Sequence, residues 1–271
     1  MAQPNPKAVP FFKVARQYSA KGQFNDAIAA YKKAIAVDKK FDSANLELSS
    51  LFLKISMNDS AIAVLKRALK VKPAFLDAHI LLGIIYRDYI RNSDDAIVNF
   101  TNAYKIDSTN KLILYSLAWC NNDKGYYREA IKYGIKALET DNSYRPAYNE
   151  LAHAYRGLKA YQEAIDQFKK NIAISVNEQP RYYSGLCYLE LNDKAGAEKM
   201  FEELKKMNSK SADALRKKID MKQWAVVIWF SFNNNAIAQR QFNDCILTQL
   251  FFTYLYQNNW LNLKEWCLPL L

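Results

Sequence analysis

The segment Asn25-Asp26-Ala27-Ile28-Ala29-Ala30-Tyr31-Lys32-Lys33-Ala34 contains a pattern that recurs along the chain. Its small-then-apolar centre, Ala27-Ile28, returns at five further places, the last of which is a looser match: Ala61-Ile62, Ala96-Ile97, Ala130-Ile131, Ala164-Ile165 and Ala197-Glu198. The intervals between successive alanines are 34, 35, 34, 34 and 33 residues. A fixed period in this range indicates a stacked repeat architecture.

A second set of small residues lies upstream of the first with the same period. Each stands twelve residues before a central alanine, or thirteen in the third unit: Ala15, Ser49, Gly83, Ala118, Ala152 and Gly185. Around them, apolar residues follow the i, i+3, i+4, i+7 spacing of amphipathic helices, two in each unit. Helices approach to about 8–10 Å where small side chains occupy the crossing. The pattern therefore predicts six pairs of closely packed helices.

This arrangement of small residues resembles the tetratricopeptide repeat, and the match covers roughly residues 8–210 as six units. The resemblance implies an all-α fold, an α-solenoid of about six helix-turn-helix repeats with a capping helix. The predicted repeats are about 8–41, 42–75, 76–110, 111–144, 145–177 and 178–210. We expect the extra residue of the third unit to lengthen the turn at 88–93.

The two ends of the array have different compositions. Residues 1–7 hold two prolines and are predicted to be a disordered lead-in. Residues 211–223 form a candidate amphipathic helix, with Ala212, Leu215 and Ile219 on one side. The last repeat of a solenoid has no following neighbour, so a terminal element with a polar outer face is needed. We therefore predict a solenoid over 8–223 that ends in this capping helix.

An apolar C-terminal extension follows at 224–271, with four of the five tryptophans and four charged residues. Three interpretations of this extension stay open. It packs back on the last repeat, it is a tail that contacts a partner or a membrane surface, or it is a poorly ordered segment with no fold of its own. No run in the chain approaches the roughly 20 apolar residues that span a bilayer.

The formal charge of +11 belongs entirely to the repeats, because the charges of the extension cancel. Lysines are concentrated in the second helix of each unit, as at Lys32-Lys33 and Lys169-Lys170. In a stacked array these helices form the outer, convex surface. A solvated lysine-rich face is favoured over a nucleic-acid interface, because no aromatic residues alternate with the lysines to stack on bases.

The sequence offers no constellation for catalysis. The two histidines, His79 and His153, lie in different units without a nucleophile or carboxylate at a motif spacing. No phosphate loop, HExxH or GxSxG motif occurs. The four cysteines form no CxxC pair, so buried free thiols are expected. We therefore predict no enzymatic activity, no metal site and no cofactor.

The tetratricopeptide resemblance implies a ligand groove lined by the first helix of each unit. In the last unit the family's ligand-contacting positions are Tyr182 and Leu186. Phe12 and Arg16 stand where chaperone-binding members have the lysine and asparagine of a carboxylate clamp, so a chaperone C-terminus is not the expected ligand. Aromatic and arginine anchors carry much of the energy of protein interfaces. The predicted peptide-binding residues are Arg16, Arg87, Tyr115, Trp119, Asn122, Asn149, His153 and Arg156. The alternative for each is a residue that packs against the next unit.

The predicted function is a protein-interaction scaffold that binds a peptide segment of a partner protein. One alternative is binding of nucleic acid or an acidic surface through the convex lysines, which steep salt dependence would favour. Another is the recognition part of a larger enzyme or envelope protein. The start of the chain lacks the apolar core of a signal peptide, so the expected compartment is the cytoplasm, or the exterior if a leader has been removed.

Overall fold

The computed structural model describes residues 3–174 and 176–234, with side-chain detail as far as residue 223. Within these residues the fold is all-α and contains no strand. The α-helices are α1 (Val9–Ala20), α2 (Phe24–Val37), α3 (Asp42–Lys54), α4 (Asn58–Val71), α5 (Leu76–Ile84), α6 (Ser93–Ile106), α7 (Lys111–Asp123), α8 (Tyr127–Thr140), α9 (Arg145–Gly157), α10 (Tyr161–Ala173), α11 (Glu178–Glu190), α12 (Lys194–Lys206) and α13 (Lys210–Asn234). A π-helical segment, Ile85–Ile90, continues α5. The predicted solenoid of six helix pairs with a terminal helix is confirmed.

The recurring small residues lie at the helix crossings. All six central alanines are fully buried, and so are their small partners upstream, among them Ala15, Ser49 and Ala118. Gly83 and Gly185 complete the upstream set and are also buried. A larger side chain at these places would overpack a crossing that has no free volume. The period of the sequence is therefore the period of helix packing.

Large side chains fill the space between successive units. Phe100 and Phe168 are fully buried on second helices, and Leu48, Leu82 and Leu117 are fully buried or nearly so on first helices. Gly134 leaves a gap in the second helix of the fourth unit, and Leu151 of the next unit occupies that gap. The core is thus a continuous apolar stripe along the array, because each unit supplies part of its neighbour's core.

The turn between the two helices of each unit contains one residue in the left-handed region. These residues recur with the repeat, at φ of 59–75°: Gly22, Ser56, Arg91, Gly125, Lys159 and Asn192. Only two of the six are glycine, the residue that adopts this conformation without steric cost. Asn192 tolerates this conformation, whereas Ser56, Arg91 and Lys159 hold a side chain that is unfavourable there.

The third unit accommodates its extra residue differently from the prediction. The first helix and the π-helical segment together run from Leu76 to Ile90, and only two residues separate them from α6. The predicted longer turn at 88–93 is therefore wrong. The added residue widens the last turns of the helix instead, which is how π-helical segments absorb an insertion.

Charged pairs join neighbouring units along the array. Lys72 bonds to Asp42 at 2.5 Å, Lys111 to Asp141 at 2.6 Å and Lys124 to Asp94 at 2.8 Å, each across 30 residues of sequence. Several other lysines lie over aromatic rings, and Lys136 donates to the hydroxyl of Tyr104. Part of the lysine content therefore contributes to contacts within the solenoid.

Both ends of the described chain continue the array. At the start, the backbone N–H of Asn5 donates to Asp38 at 2.9 Å, and Ala8 is fully buried. At the other end, α13 runs without a break from Lys210 to Asn234, and Leu215 and Ile219 pack on the last unit. The helix thus extends past the predicted cap boundary at residue 223. The predicted extension begins at residue 224, and its part beyond residue 234 lies outside the described residues.

Candidate functional site

An open pocket of about 410 Å³ lies between the first helices of the fourth, fifth and sixth units. The repeat brings α7, α9 and α11 side by side, so residues far apart in sequence face one space. The lining residues are Trp119, Asn122, Asp123, Tyr127, Asn149, Glu150, His153, Arg156, Gly157, Gln179 and Tyr183. We call this space the α7–α9–α11 pocket.

The pocket brings together five of the eight predicted binding residues: Trp119, Asn122, Asn149, His153 and Arg156. The other three are outside its lining. Tyr115 packs edge-on against Tyr144, with ring centroids 6.2 Å apart. Arg16 lies in the first unit, where its Nε is 3.5 Å from Glu47 and its side chain is 65% exposed.

Arg87 forms the wall next to the pocket rather than part of its lining. Its guanidinium donates to both carboxylate oxygens of Asp88 and, at 2.8 Å, to the hydroxyl of Ser116. It also lies 5.9 Å from the ring centroid of Tyr115 and 5.8 Å from that of Trp119. The side chain is only 12% exposed. Arg87 therefore joins the third and fourth units and supports Trp119 from behind.

The floor of the pocket is a hydrogen-bonded pair from two units. The side-chain amide of Asn122 donates to the carboxylate of Glu150 at 3.0 Å and to its backbone carbonyl at 2.9 Å. Burial raises the pKa of Glu150, although hydrogen bonds from Asn122 and Asn149 act in the opposite direction. The side-chain oxygen of Asn122 is buried and accepts no hydrogen bond. The floor thus presents acceptor groups whose bonding capacity is not filled.

An aromatic cluster forms the side of the pocket nearest α11. The His153 ring lies edge-on to Tyr183, with centroids 4.7 Å apart, and to Phe168 at 5.6 Å. Burial, with a smaller contribution from the charge of Arg156, lowers the pKa of His153 to about 4. The histidine is therefore neutral at pH 7. The Arg156 guanidinium lies 4.5 Å from the centroid of the Tyr183 ring.

Six lining residues were not predicted from the sequence: Asp123, Tyr127, Glu150, Gly157, Gln179 and Tyr183. Asp123, Glu150 and Gly157 each directly follow a predicted residue, so one residue of helix rotation separates them from the expected face. In the last unit the expected position was Tyr182, whereas its neighbour Tyr183 lines the pocket. A spacing rule taken from the family locates the helix face but not its exact rotation.

The described side chains show little reactive chemistry. Cys120 and Cys187 are free and buried, and burial raises the pKa of each thiol to about 12, so both are protonated at pH 7. No group of three histidine, cysteine or carboxylate side chains in the described part of the chain could hold a metal ion. None of the described helices has the length and apolarity that crossing a membrane requires.

Stacked helix pairs with a side pocket formed by successive first helices define a helical repeat protein of the kind that carries protein-interaction surfaces. Family models described as "Tetratricopeptide repeat" match residues 13–74 and 146–175. The chain thus contains tetratricopeptide repeats.

Known proteins with similar sequences or folds belong to the same class. The chain is 25% identical over 189 residues to anaphase-promoting complex subunit 6 of Arabidopsis thaliana. The aligned segment covers 67% of this chain and 34% of that protein. The structure "APC/C hetero-tetramer Cut9-Hcn1" is similar at a TM-score of 0.56 and 22% identity, over 78% of this chain and 42% of the matched chain. The structure "YrrB: a TPR protein with an unusual peptide-binding site" is similar at a TM-score of 0.56 and 18% identity. The similarity covers 64% of this chain and 89% of the matched chain.

The chain thus spans about a third of the length of its curated relative. At these identities the solved structures establish the fold alone. Tetratricopeptide repeats in a helical solenoid indicate a protein-interaction scaffold.

Proposed function

We propose that this protein is a non-catalytic scaffold that binds a peptide segment of a partner protein in the α7–α9–α11 pocket. The observation that carries the proposal is the convergence of Trp119, Asn122, Asn149, His153 and Arg156 on one open space. These five residues come from two helices, α7 and α9, of adjacent repeats, and only the stacking of units brings them together. Aromatic and arginine side chains in such a space are typical interface anchors.

Each group has a distinct part in holding a peptide. Trp119, Tyr127 and Tyr183 supply ring surface for side chains, since large aromatic surfaces contribute most of the apolar contact at interfaces. Arg156 makes no ion pair with a carboxylate among the described residues, and its stacking on Tyr183 holds the guanidinium in place. Its N–H groups are donors suited to peptide carbonyls or a carboxylate. Arg87 and Tyr115 act indirectly, by fixing the wall behind Trp119.

The absence of catalysis is part of the same proposal. His153 is wedged between Tyr183 and Phe168 rather than hydrogen-bonded to a nucleophile. A general base must reach the proton that it removes, and no serine, threonine or cysteine lines the pocket beside it. Binding is therefore the chemistry that the described side chains support.

The similar solved structures are consistent with binding of protein segments. YrrB is described as having a peptide-binding site, and Cut9 is described in a hetero-tetramer with Hcn1. These properties belong to those proteins. They support a protein segment as the class of ligand, and they do not identify the partner of this chain.

The test compares partner capture by the full chain and by two pocket variants, Trp119→Ala and Arg156→Ala. Proteins that the parent retains are identified by quantitative mass spectrometry, and their segments are then titrated against each purified variant. We expect each substitution to weaken binding by about tenfold or more, the effect of losing an interface anchor.

Matched controls remove the same chemistry outside the pocket. Tyr126→Ala removes an aromatic side chain that is 54% exposed in the turn before α8, and Arg128→Ala removes an exposed arginine on α8. Both controls should bind as the parent does. If partner segments bind Trp119→Ala and Arg156→Ala as tightly as the parent, the pocket is not the binding site.

A further inference from the structure

Two carboxylates of the α7–α9–α11 pocket, Asp123 and Glu150, form no close ion pair among the residues whose side chains are described. Glu150 bonds to Asn122, and Asp123 accepts a hydrogen bond from Ser93 at 2.5 Å. Among the residues with described side chains, neither carboxylate forms an ion pair with a lysine or arginine, although 38 such residues occur in the chain. The neighbouring Lys124 instead pairs with Asp94, in the preceding unit.

Glu150 is the more unusual of the two because it is only 5% exposed. Its hydrogen-bond donors, Asn122 and Asn149, are neutral amides, and the charge of Arg87 lowers its pKa only from a distance, without an ion pair. Neutral donors do not balance a buried negative charge, and an uncompensated buried charge is unfavourable. The Asn122 side-chain oxygen beside it is also buried and lacks a donor. Both groups would gain most from a ligand that brings a positive charge and several N–H donors.

The walls of the pocket favour the same kind of ligand. Trp119, Tyr127 and Tyr183 present aromatic rings, whose faces attract cations. His153 is neutral at pH 7 and adds no repulsion. Arg156, the one cation in the lining among the described residues, is drawn toward α11 by its stacking on Tyr183. The α7 and α9 sides of the pocket are therefore acidic and aromatic, in a chain with a net charge of +11.

We propose that the α7–α9–α11 pocket takes a lysine or arginine side chain of the partner segment. The cationic group bonds to Glu150 and to the side-chain oxygen of Asn122, and the aliphatic stem lies along Trp119 and Tyr127. The inference rests on the proposed peptide-binding function and adds the residue class that the pocket selects. The overall positive charge of the chain does not oppose it strongly, because salt screens charges beyond about 8 Å under physiological conditions.

The probes are three acetylated and amidated tripeptides, glycine–X–glycine, in which X is lysine, norleucine or glutamate. Norleucine matches the lysine stem without its charge, and glutamate reverses the charge. Affinities are measured by ligand-observed NMR on the full chain and on Glu150→Gln, Asp123→Asn and the control Glu139→Gln. Glu139 is an exposed carboxylate on α8 outside the pocket. Asp123 is exposed as well, so its variant should fold even if Glu150→Gln is destabilised.

We expect the lysine peptide to bind about tenfold more tightly than the other two, the factor typical of one hydrogen-bonded charge. Glu150→Gln should remove that preference, Asp123→Asn should reduce it, and Glu139→Gln should leave it unchanged. Equal binding of the three peptides, tighter binding of the glutamate peptide, no detectable binding, or a preference that survives Glu150→Gln and Asp123→Asn would overturn the inference.

Failure of this inference is distinguishable from failure of the proposed function. If the lysine preference is absent while Trp119→Ala still weakens binding of partner segments, the pocket binds peptides of another composition. If Trp119→Ala has no effect on partner segments either, the pocket is not a peptide site.

Discussion

The Arg87 guanidinium donates a 2.8 Å hydrogen bond to the hydroxyl of Ser116, which is fully buried in the next repeat. The same guanidinium is fixed by Asp88 in a two-point contact. Arg87 stands on the π-helical segment, which among the described units only the third has. The inserted residue and the link to the fourth unit are therefore features of one local structure.

Arg87→Met should weaken the junction between the third and fourth units. The substitution keeps much of the aliphatic stem but removes the donor to Ser116, and we expect a loss of about 1–3 kcal/mol in unfolding free energy. Ser116→Ala tests the same bond from the other side. In a double-mutant cycle by urea unfolding, the two substitutions should couple by about 0.5–3 kcal/mol. Additive effects, or an equal loss in the exposed control Arg128→Met, would show that the bond contributes nothing specific.

The stability of the fifth unit should fall as the pH is lowered from 7 to 5. The folded chain holds the pKa of His153 at about 4, below the ordinary value near 6.5, because the ring is buried beside Arg156. In this window the unfolded chain binds more protons than the folded one, so stability decreases as the pH falls. The expected contribution of this histidine is on the order of 1–2 kcal/mol between pH 7 and pH 5.

His153→Phe should remove this part of the pH dependence. Phenylalanine preserves the aromatic contacts with Tyr183 and Phe168 but cannot be protonated. The measurement is the difference in urea midpoint between parent and variant at pH 7, 6 and 5, because the difference cancels the titration of other groups. A difference that does not change with pH would contradict the low pKa of His153.

Most of the fold could be predicted because its determinants are local and repeated. A small residue at a helix crossing is visible in sequence, and the buried alanines such as Ala27 and Ala130 mark every unit. The π-helical segment could not be predicted, since an added residue fits a longer turn or a wider helix equally well. In the structure the wider helix is accompanied by contacts of Arg87 with Ser116 and with the ring of Tyr115 in the next unit.

The site could be predicted only in part for a similar reason. Spacing identified the correct helices and the anchors Trp119 and Arg156. It could not identify Glu150, because a charged residue beside a groove is expected in solvent, whereas the structure buries it under Asn122. Tyr183 was missed because it directly follows the expected position Tyr182, as Glu150 follows Asn149. The burial of Glu150 and the position of Tyr183 both depend on tertiary contacts between units, which a local sequence pattern does not reveal.

Gly134→Ala should destabilise the contact between the fourth and fifth units. A Cβ at this position would lie 2.7 Å from Cγ of Leu151 and 2.9 Å from its Cδ2, closer than packing allows. Leu151 is almost fully buried, so it has little room to move. We expect a loss of about 1–3 kcal/mol, typical of an overpacked core.

The matched test of this contact adds Leu151→Ala. That substitution alone should cost about 2–5 kcal/mol through the cavity that it leaves. In the double variant the added methyl group enters part of this cavity, so the total loss should be smaller than the sum of the two single losses. Thermal unfolding of the four proteins measures the cycle, and strictly additive losses would mean that Gly134 and Leu151 do not compete for the same space.

Lys159→Gly should stabilise the protein, which is an unusual result for a substitution to glycine. Lys159 lies in the turn between α9 and α10 with φ of 60°, the conformation that Gly22 and Gly125 adopt in the equivalent turns. A side chain there costs about 1–2 kcal/mol, whereas the added freedom of glycine in the unfolded chain costs less, about 0.5–1 kcal/mol. The expected gain in unfolding free energy is therefore up to about 1 kcal/mol.

Lys159→Ala is the control, because it removes the exposed lysine side chain but keeps the Cβ. Urea unfolding should show a higher midpoint for the glycine variant alone, and an equal rise in the alanine variant would assign the effect to the lysine charge rather than to the backbone.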